Sequence, residues 1–176
     1  AGDRWTVGTS PNNPHTDVPN VMMYPREYLG KDRQLVNARL RHEVGNLNYP
    51  IQKELDELRE WCSGQNIPPV VLTALTEAIH EASVNYLEMR NSYSAHPEND
   101  FKALYEQEIR TEDIVQGIEG SDPYKQLIDI VLLHGLASCN LCPQGHVEEA
   151  LSHADPKVRE VFSTDVQHMV SQAVTI

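Results

Sequence analysis

The feature that most constrains the fold is a repeated helix-start signal, in which a residue at the helix cap is followed directly by proline at the first helical position. Proline is favoured at the first helical position because its fixed φ suits a helix and its missing N–H would have no partner there. The signal occurs at Tyr49-Pro50, His96-Pro97, Asp122-Pro123, Cys142-Pro143 and Asp155-Pro156. Gly45 and Gly64 stand where helices would end. We therefore expect helices over approximately 32–44, 50–62, 68–91, 97–109, 112–118, 123–137, 143–153 and 156–173.

The spacing of the apolar residues supports this division. Steps of three and four predict a core-facing stripe on the third helix, formed by Leu72, Leu75, Ile79, Ala82, Tyr86 and Met89. The last helix repeats the pattern with Val158, Phe162, Val166, Met169 and Ala173. Residues 127–134 are apolar nearly all round but too few to cross a membrane, which predicts a buried central helix. A strand over 128–133 would need hairpin partners that the sequence lacks, so we expect an all-α, bundle-like or orthogonal domain over 32–176.

Residues 1–31 differ from the rest of the chain. Prolines alternate with asparagines there and no helical period survives, as in Pro11-Asn12-Asn13-Pro14 and Pro19-Asn20. Such a segment cannot bury enough apolar surface to offset its own ordering entropy. We expect an extended, ordered arm that lies either on the helical core of its own chain or on a neighbouring subunit.

The charge balance excludes some classes of partner. The chain has 26 acidic and 14 basic residues, a formal net charge of −12. Binding to duplex nucleic acid or to an anionic membrane requires clustered lysine and arginine, so we expect neither. The first residues are polar, which argues against a signal peptide, and three cysteines are too few and odd in number for a disulfide scaffold. We expect a cytoplasmic protein whose partners are other protein subunits.

One short motif carries specific chemistry, Cys139-Asn-Leu-Cys142-Pro-Gln-Gly-His146. Cys142 lies close to the N-terminus of the helix that follows, where free N–H groups and the helix dipole would stabilise a thiolate. His146 falls one turn into that helix, within reach of such a thiolate. Three interpretations stay open at this point. The motif is a redox dithiol, a metal site, or a structural junction between two helices.

The metal and structural interpretations rest on simple chemistry. Two thiolates and an imidazole suit zinc, but a closed zinc site needs four ligands. The fourth would have to come from His134, His153 or Cys62. Apart from zinc at this motif we predict no cofactor. Small cysteines also pack well in a core without doing any chemistry, and Cys62 itself shares a helix face with Leu55 and Leu58, which predicts a core position.

The motif and its surroundings resemble the carboxymuconolactone decarboxylase and AhpD-like superfamily over about residues 122–174, including Asp122-Pro123 and Glu149-Ala150-Leu151. The resemblance implies an all-α fold and, in the AhpD branch, reduction of peroxides or of partner disulfides. It implies that Cys142 is the peroxidatic thiol, Cys139 the resolving thiol and His146 part of a proton relay. That family places a glutamate about twelve residues before the first cysteine, where this chain has Leu127 next to Gln126.

A second resemblance concerns the other end of the helical region. The segments Asp32-Arg-Gln-Leu35, Arg39-Leu40, Asn46-Leu-Asn-Tyr49 and Leu55-Asp-Glu-Leu-Arg59 are similar to a stretch of the gamma subunit of soluble methane monooxygenase hydroxylases. Those subunits are all-α and hold no metal, so this likeness implies an accessory role. We therefore expect a helical accessory or structural subunit that docks through residues 1–31, with an AhpD-like dithiol oxidoreductase as the alternative.

Overall fold

The structure is a computed structural model. It describes the backbone of residues 6–10, 15–18 and 21–25, and then residues 32–65, 69–91 and 96–175. From Asp32 onward the fold is all-α, as predicted. The helices are α1 (Arg33–Asn48), α2 (Gln52–Gln65), α3 (Pro69–Arg90), α4 (Pro97–Leu104), α5 (Thr111–Gly117), α6 (Pro123–Ser138), α7 (Gln144–His153), α8 (Pro156–Val161) and α9 (Gln167–Thr175). The chain adopts π-helical turns over Tyr105–Ile109, after α4, and over Phe162–Val166, between α8 and α9.

The proline signals locate most of the helix starts correctly. Pro97, Pro123 and Pro156 are each the first residue of a helix. Before α6 the Asp122 carboxylate accepts hydrogen bonds from two first-turn N–H groups at 3.0 and 3.1 Å, and Asp155 caps α8 in the same way at 2.8 Å. Two of the signals were assigned wrongly. Pro50 lies in the connection between α1 and α2, and Pro143 occupies the cap position itself, so that α7 begins one residue later.

The role predicted for Gly45 was also wrong. It lies inside α1, which runs on to Asn48, rather than at the end of the helix. A Cβ atom at this position would come within 2.4 Å of a Val84 methyl group and 2.8 Å of the Glu88 Cγ atom, both on α3. The glycine is therefore required by the close approach of the two helices, and Tyr49 then caps α1 by donating its N–H to the Gly45 carbonyl at 2.8 Å.

Helix α6 forms the centre of the domain, as its apolar sequence predicted. Ile130, Leu133 and Leu136 are fully buried, and the helix packs against α3, α7 and α9. Its crossing with α3 is close because Gly135 faces Ala82. A Cβ atom on the glycine would lie 2.9 Å from the Ala82 Cβ atom. None of the described helices combines the length and the apolar character needed to cross a membrane.

The last part of the chain buries a different stripe from the predicted one. Val158 and Phe162 are buried as expected, but the stripe continues through Val170 and Val174, while Met169 is 60% exposed. The cause is the π turn at Phe162–Val166. Its hydrogen bonds run from residue i to residue i+5 and so take up one residue more than an α turn. Everything downstream is thereby rotated by about 100° relative to a continuous α-helix.

The described stretches of the N-terminal segment are extended. They form strands β1 (Thr6–Ser10), β2 (His15–Val18) and β3 (Val21–Pro25), which pair in the order β1-β3-β2. Strand β3 runs parallel to β1 and antiparallel to β2. The backbone of β2 lies beside α1. The described backbone of this segment is thus a small sheet next to α1, and the ordered arm over residues 1–31 stays a prediction.

Candidate functional site at the Cys139–Cys142 motif

The spacing of the two cysteines corresponds to a helix C-terminal cap. Helix α6 ends at Ser138, and Asn140 adopts the left-handed conformation with φ 59°. The Asn140 N–H donates to the Ala137 carbonyl at 3.0 Å, and the Leu141 N–H donates to the Leu136 carbonyl at 2.8 Å. These two bonds define a Schellman motif, for which asparagine is a suitable left-handed residue and a buried apolar residue after it is usual. Leu141 is buried accordingly.

Both thiols of the motif lie in the interior. Cys139 is 6% exposed and Cys142 9% exposed. The Cys142 thiol donates to the Leu133 carbonyl at 3.3 Å, and the Cys139 Sγ atom lies 3.8 Å from the Ala82 carbonyl oxygen. Burial raises the pKa of each thiol to about 12, and for Cys139 the neighbouring Cys142 adds to the effect. Both are free thiols, as is the buried Cys62, whose core position was predicted.

Burial therefore opposes the lowered thiol pKa that a position close to the N-terminus of the next helix would favour. That expectation assumed that Cys142 lies within the field of the helix dipole. Instead Pro143 holds the cap position, and the Cys142 thiol donates back towards α6. An apolar interior penalises the charged form of a thiol, and this penalty outweighs what a helix terminus contributes at a distance.

His146 is tied to a different partner from the predicted one. Its Nδ1 atom lies 3.0 Å from the Thr111 Oγ1 atom at the start of α5. Its backbone N–H donates to the Pro143 carbonyl at 3.0 Å. The hydrogen bond therefore joins α7 to α5, and it holds the Nδ1 atom of His146 on Thr111.

The described residues do not assemble a metal centre from these groups. No cluster of three or more histidine, cysteine, aspartate or glutamate side chains suited to a metal ion occurs in 32–65, 69–91 or 96–175. Cys139, Cys142 and His146 do not converge, and of the suggested fourth ligands His134 is engaged with Ser171 at 2.8 Å. The zinc interpretation of the motif gains no support from this geometry.

Leu127, where the AhpD-like pattern has a glutamate, and its neighbour Gln126 both contribute to the packing of the fold. Gln126 is buried, and its amide donates to the carbonyls of Ile118 and Ser121 at 3.0 and 3.1 Å. Its Oε1 atom accepts from the Asp155 N–H at 2.9 Å. Leu127 packs against the core. Gln126 thus holds the loop before α6 and the start of α8 together.

A carboxylate reaches the motif from another part of the chain. Cys142 lines a cleft of about 310 Å³ together with Lys102 and Glu106. His146 lines an adjoining cleft of about 200 Å³, and Glu106 borders this one as well. Glu106 lies in the π turn that follows α4. Because it is far from the motif in sequence and the π turn is not visible as a pattern, sequence reasoning did not connect the two.

A buried polar network beside the motif was also missed. It consists of His42 and Asn46 on α1, Glu81 and Asn85 on α3, and Tyr105 at the start of the π turn. Asn46 donates to the His42 Nε2 atom at 3.1 Å, so that Nδ1 carries the proton and donates to the Asn85 Oδ1 atom at 3.0 Å. Asn85 in turn donates to the Tyr105 hydroxyl, which donates to the Glu81 carboxylate at 3.0 Å.

This network lies next to the first cysteine. Burial raises the pKa of Tyr105 well above its ordinary range, Glu81 raises it further, and Cys139 contributes in the same direction. On α3, the Glu81 carbonyl accepts from the Asn85 side-chain amide at 2.8 Å, and the next carbonyl, of Ala82, accepts from the Cys139 thiol. The network therefore joins α1, α3 and the π turn, and its Glu81 carboxylate reaches the surface, with 30% of its side chain exposed.

Comparison with known protein families, with curated proteins and with solved structures gives no match. The likeness to the AhpD-like superfamily and the likeness to the methane monooxygenase gamma subunit therefore stay predictions. The function has to be inferred from the geometry of this chain.

The raised thiol pKa values predict a specific loss of stability in alkali. An unfolded chain releases these protons near pH 9, whereas the folded chain keeps them up to about pH 12. Stability is therefore unaffected below pH 9 and falls between pH 9 and 12, by about 1.4 kcal/mol per pH unit for each thiol. Urea unfolding at pH 8, 9 and 10 should show a steeper decline for the wild type than for the Cys139→Ser/Cys142→Ser variant. Equal slopes would contradict the burial of the thiols.

Proposed function

We propose that this protein is a helical accessory or structural subunit of a larger assembly, docked through residues 1–31. The observation that carries the proposal is the small sheet of the N-terminal segment. Strand β1 has β3 on one side, and within the described backbone of residues 6–25 no strand pairs with its other edge. An open edge offers unpaired N–H and carbonyl groups to a strand of another chain.

The chemical state of the Cys139–Cys142 motif supports the same proposal. A thiol with a pKa of about 12 is protonated at neutral pH and is a poor nucleophile. The CxxC spacing has a sufficient explanation in the capping of α6. The net charge of −12 favours a partner with a basic surface. Three buried free thiols fit a reducing compartment, so we place the protein in the cytoplasm.

Deletion of residues 1–31 tests this function. The hydrophobic core runs from Leu35 to Val174, so we expect the shortened chain to keep its helical circular dichroism. The assembly is first recovered from the cells that make the protein, with the full chain as bait. Size-exclusion chromatography with light scattering should then show that the shortened chain does not enter this assembly. Deletion of 1–10, which removes β1 only, should have the same effect. A shortened chain that still recovers the full assembly would refute the proposal.

The second candidate is an AhpD-like dithiol oxidoreductase that reduces peroxides or disulfides. It is favoured by one observation, the cleft in which Cys142 and Glu106 both take part, because this glutamate supplies a carboxylate that the sequence lacks at Leu127. In this function Glu106 or His146 accepts the Cys142 proton, and the thiolate attacks the O–O bond of a peroxide, which gives a sulfenic acid and releases an alcohol or water. Cys139 then attacks the sulfenic acid, which releases water and forms the disulfide, and an external dithiol reduces this disulfide. This function requires a reversible Cys139–Cys142 disulfide and a loss of turnover in Cys142→Ser. Native thiols that resist alkylation at neutral pH would exclude it.

A further inference from the structure

The last helix, α9, is held on the core by the buried His134 on α6, through a chain of hydrogen bonds in which each group donates to the next. The Ser171 hydroxyl donates to the Gln167 carbonyl at 3.1 Å, one turn back on α9. The same hydroxyl oxygen lies 2.8 Å from the His134 Nε2 atom on α6. Since the hydroxyl proton is used, its oxygen accepts from the imidazole. The Nε2 atom of His134 thus carries a proton.

The other ring nitrogen of His134 has no partner within the described chain. The Nδ1 atom is buried and makes no hydrogen bond, and the residue as a whole is 6% exposed. The Phe162 ring meets the imidazole edge to face, with centroids 5.3 Å apart. A proton added at Nδ1 would therefore create a buried cation and a buried donor, both without a partner. Burial correspondingly lowers the pKa of His134, and the Gln167 carbonyl acts in the opposite direction.

No charged side chain of the described residues offsets this effect. The pKa of the ring is set by burial and by the Gln167 carbonyl, and no charged group of α3, α5, α7 or α8, which also pack against α6, is among its causes. The ionisable side chains on those four helices are Glu77, His80, Glu81, Tyr86, Glu88, Arg90, Glu112, Asp113, His146, Glu148, Glu149, His153, Lys157, Arg159 and Glu160. Besides His134 itself, the titratable side chains on α6, on the adjoining π turn and on α9 are Tyr124, Lys125, Asp129, Asp165 and His168. Of these, Asp129 is ion-paired with Lys125, and Asp165 and His168 are exposed.

We propose that His134 is a pH-sensitive latch that holds α9 against α6 and α3 and releases it when the imidazole is protonated. The latch consists of His134, Ser171 and the Gln167 carbonyl. Release would withdraw Val170 and Val174 from the crossing of α3 and α6, where both lie within 4 Å of the place of a Gly135 Cβ atom. Weak acid would thereby expose an apolar surface that is covered at neutral pH.

The sign and size of the effect follow from the two protonation states. With α9 released, the ring meets water and has the ordinary histidine pKa of about 6.5. With α9 docked, its pKa is lower. Docking is therefore at full strength above pH 6.5 and weakens as the pH falls, by up to about tenfold in the opening constant for each pH unit. It levels off once the pH is below the pKa of the docked form.

Amide hydrogen exchange of residues 167–175 tests the latch in the full chain. After correction for the intrinsic exchange rate, we expect protection of α9 to fall by up to about fivefold between pH 6.5 and 5.5 in the wild type, while α1 and α6 keep theirs. His134→Gln and His134→Leu should both abolish this pH dependence. The readout is the change with pH rather than the protection itself, so a general loss of stability in either variant does not imitate the result.

His168→Gln is the matched control, because it removes an exposed histidine from α9 itself. It should retain the wild-type pH dependence. Three results would overturn the latch: protection of α9 that does not change with pH, an equal change in the His134 variants, or a simultaneous loss of protection in α1 and α6.

Discussion

Replacement of Asn85 by leucine is expected to lower the free energy of unfolding by about 3 kcal/mol. Asn85 is fully buried in α3 and is the member of the polar network that joins the other two elements. It accepts from His42 on α1 and donates to Tyr105 in the π turn. Leucine has a similar size but cannot bond, so that the His42 Nδ1–H would lose its acceptor and the Tyr105 oxygen its donor. A buried polar atom left without a partner costs about 1–3 kcal/mol.

Two further variants separate this effect from packing. Asn48→Leu changes an exposed asparagine of α1 and should alter the stability by less than about 0.5 kcal/mol. Tyr105→Phe removes only the hydroxyl, and in combination with Asn85→Leu it completes a double-mutant cycle. We expect the combined loss in urea unfolding to be smaller than the sum of the two single losses, because both variants break the same bond. A cost below about 1 kcal/mol for Asn85→Leu would contradict the network.

The starts of α4, α6 and α8 could be predicted well because their causes are local. Asp122 and Asp155 cap the helices that follow with their own side chains, and proline directly after each of them excludes an earlier start. Helix α6 was identifiable because a segment that is apolar all round has to be buried on every side. Caps, prolines and burial of this kind are properties of a few neighbouring residues, and the sequence displays them directly.

What the sequence did not reveal depends on residues that are distant along the chain. Gly45 is explained only by the approach of α3, and Glu106, in the π turn after α4, lines the clefts beside the cysteine motif although it is far from the motif in sequence. Asn85 falls on a helix whose apolar spacing was correct, yet its buried position depends on partners in α1 and the π turn. For the cysteines, the spacing predicted proximity to a helix start, whereas their chemistry is governed by burial, which spacing does not report.

The two π turns were also not visible in the sequence. The second of them, at Phe162–Val166, sets which residues of α9 are buried, and this can be tested. Along α8, the π turn and α9, the buried positions are four residues apart, at Val158, Phe162, Val170 and Val174, with the half-buried Val166 between them. Steps of four drift by about 40° each on an ideal α-helix, and the extra residue in the π turn corrects the drift. The Thr164 hydroxyl donates to the Glu160 carbonyl within this stretch.

Deletion of Thr164 should therefore be tolerated, although deletion inside a helix normally rotates all that follows. Without the extra residue the turn can close as an α turn, the next N–H replaces the lost hydroxyl at the Glu160 carbonyl, and Val170 and Val174 stay in the core. We expect the free energy of unfolding to change by less than about 1 kcal/mol, which is the typical effect of a single point mutation. The matched control is the insertion of one alanine after Thr164, which the turn cannot take up.

The insertion rotates α9 by about 100° and exposes the two valines, each of which contributes about 1.5–3 kcal/mol when buried. We therefore expect it to lower the free energy of unfolding by at least about 3 kcal/mol, or to leave α9 unprotected in hydrogen exchange. Urea unfolding of the two variants beside the wild type decides the matter. If the deletion is as destabilising as the insertion, the π turn is not what sets the register of α9, and the exposure of Met169 needs another cause.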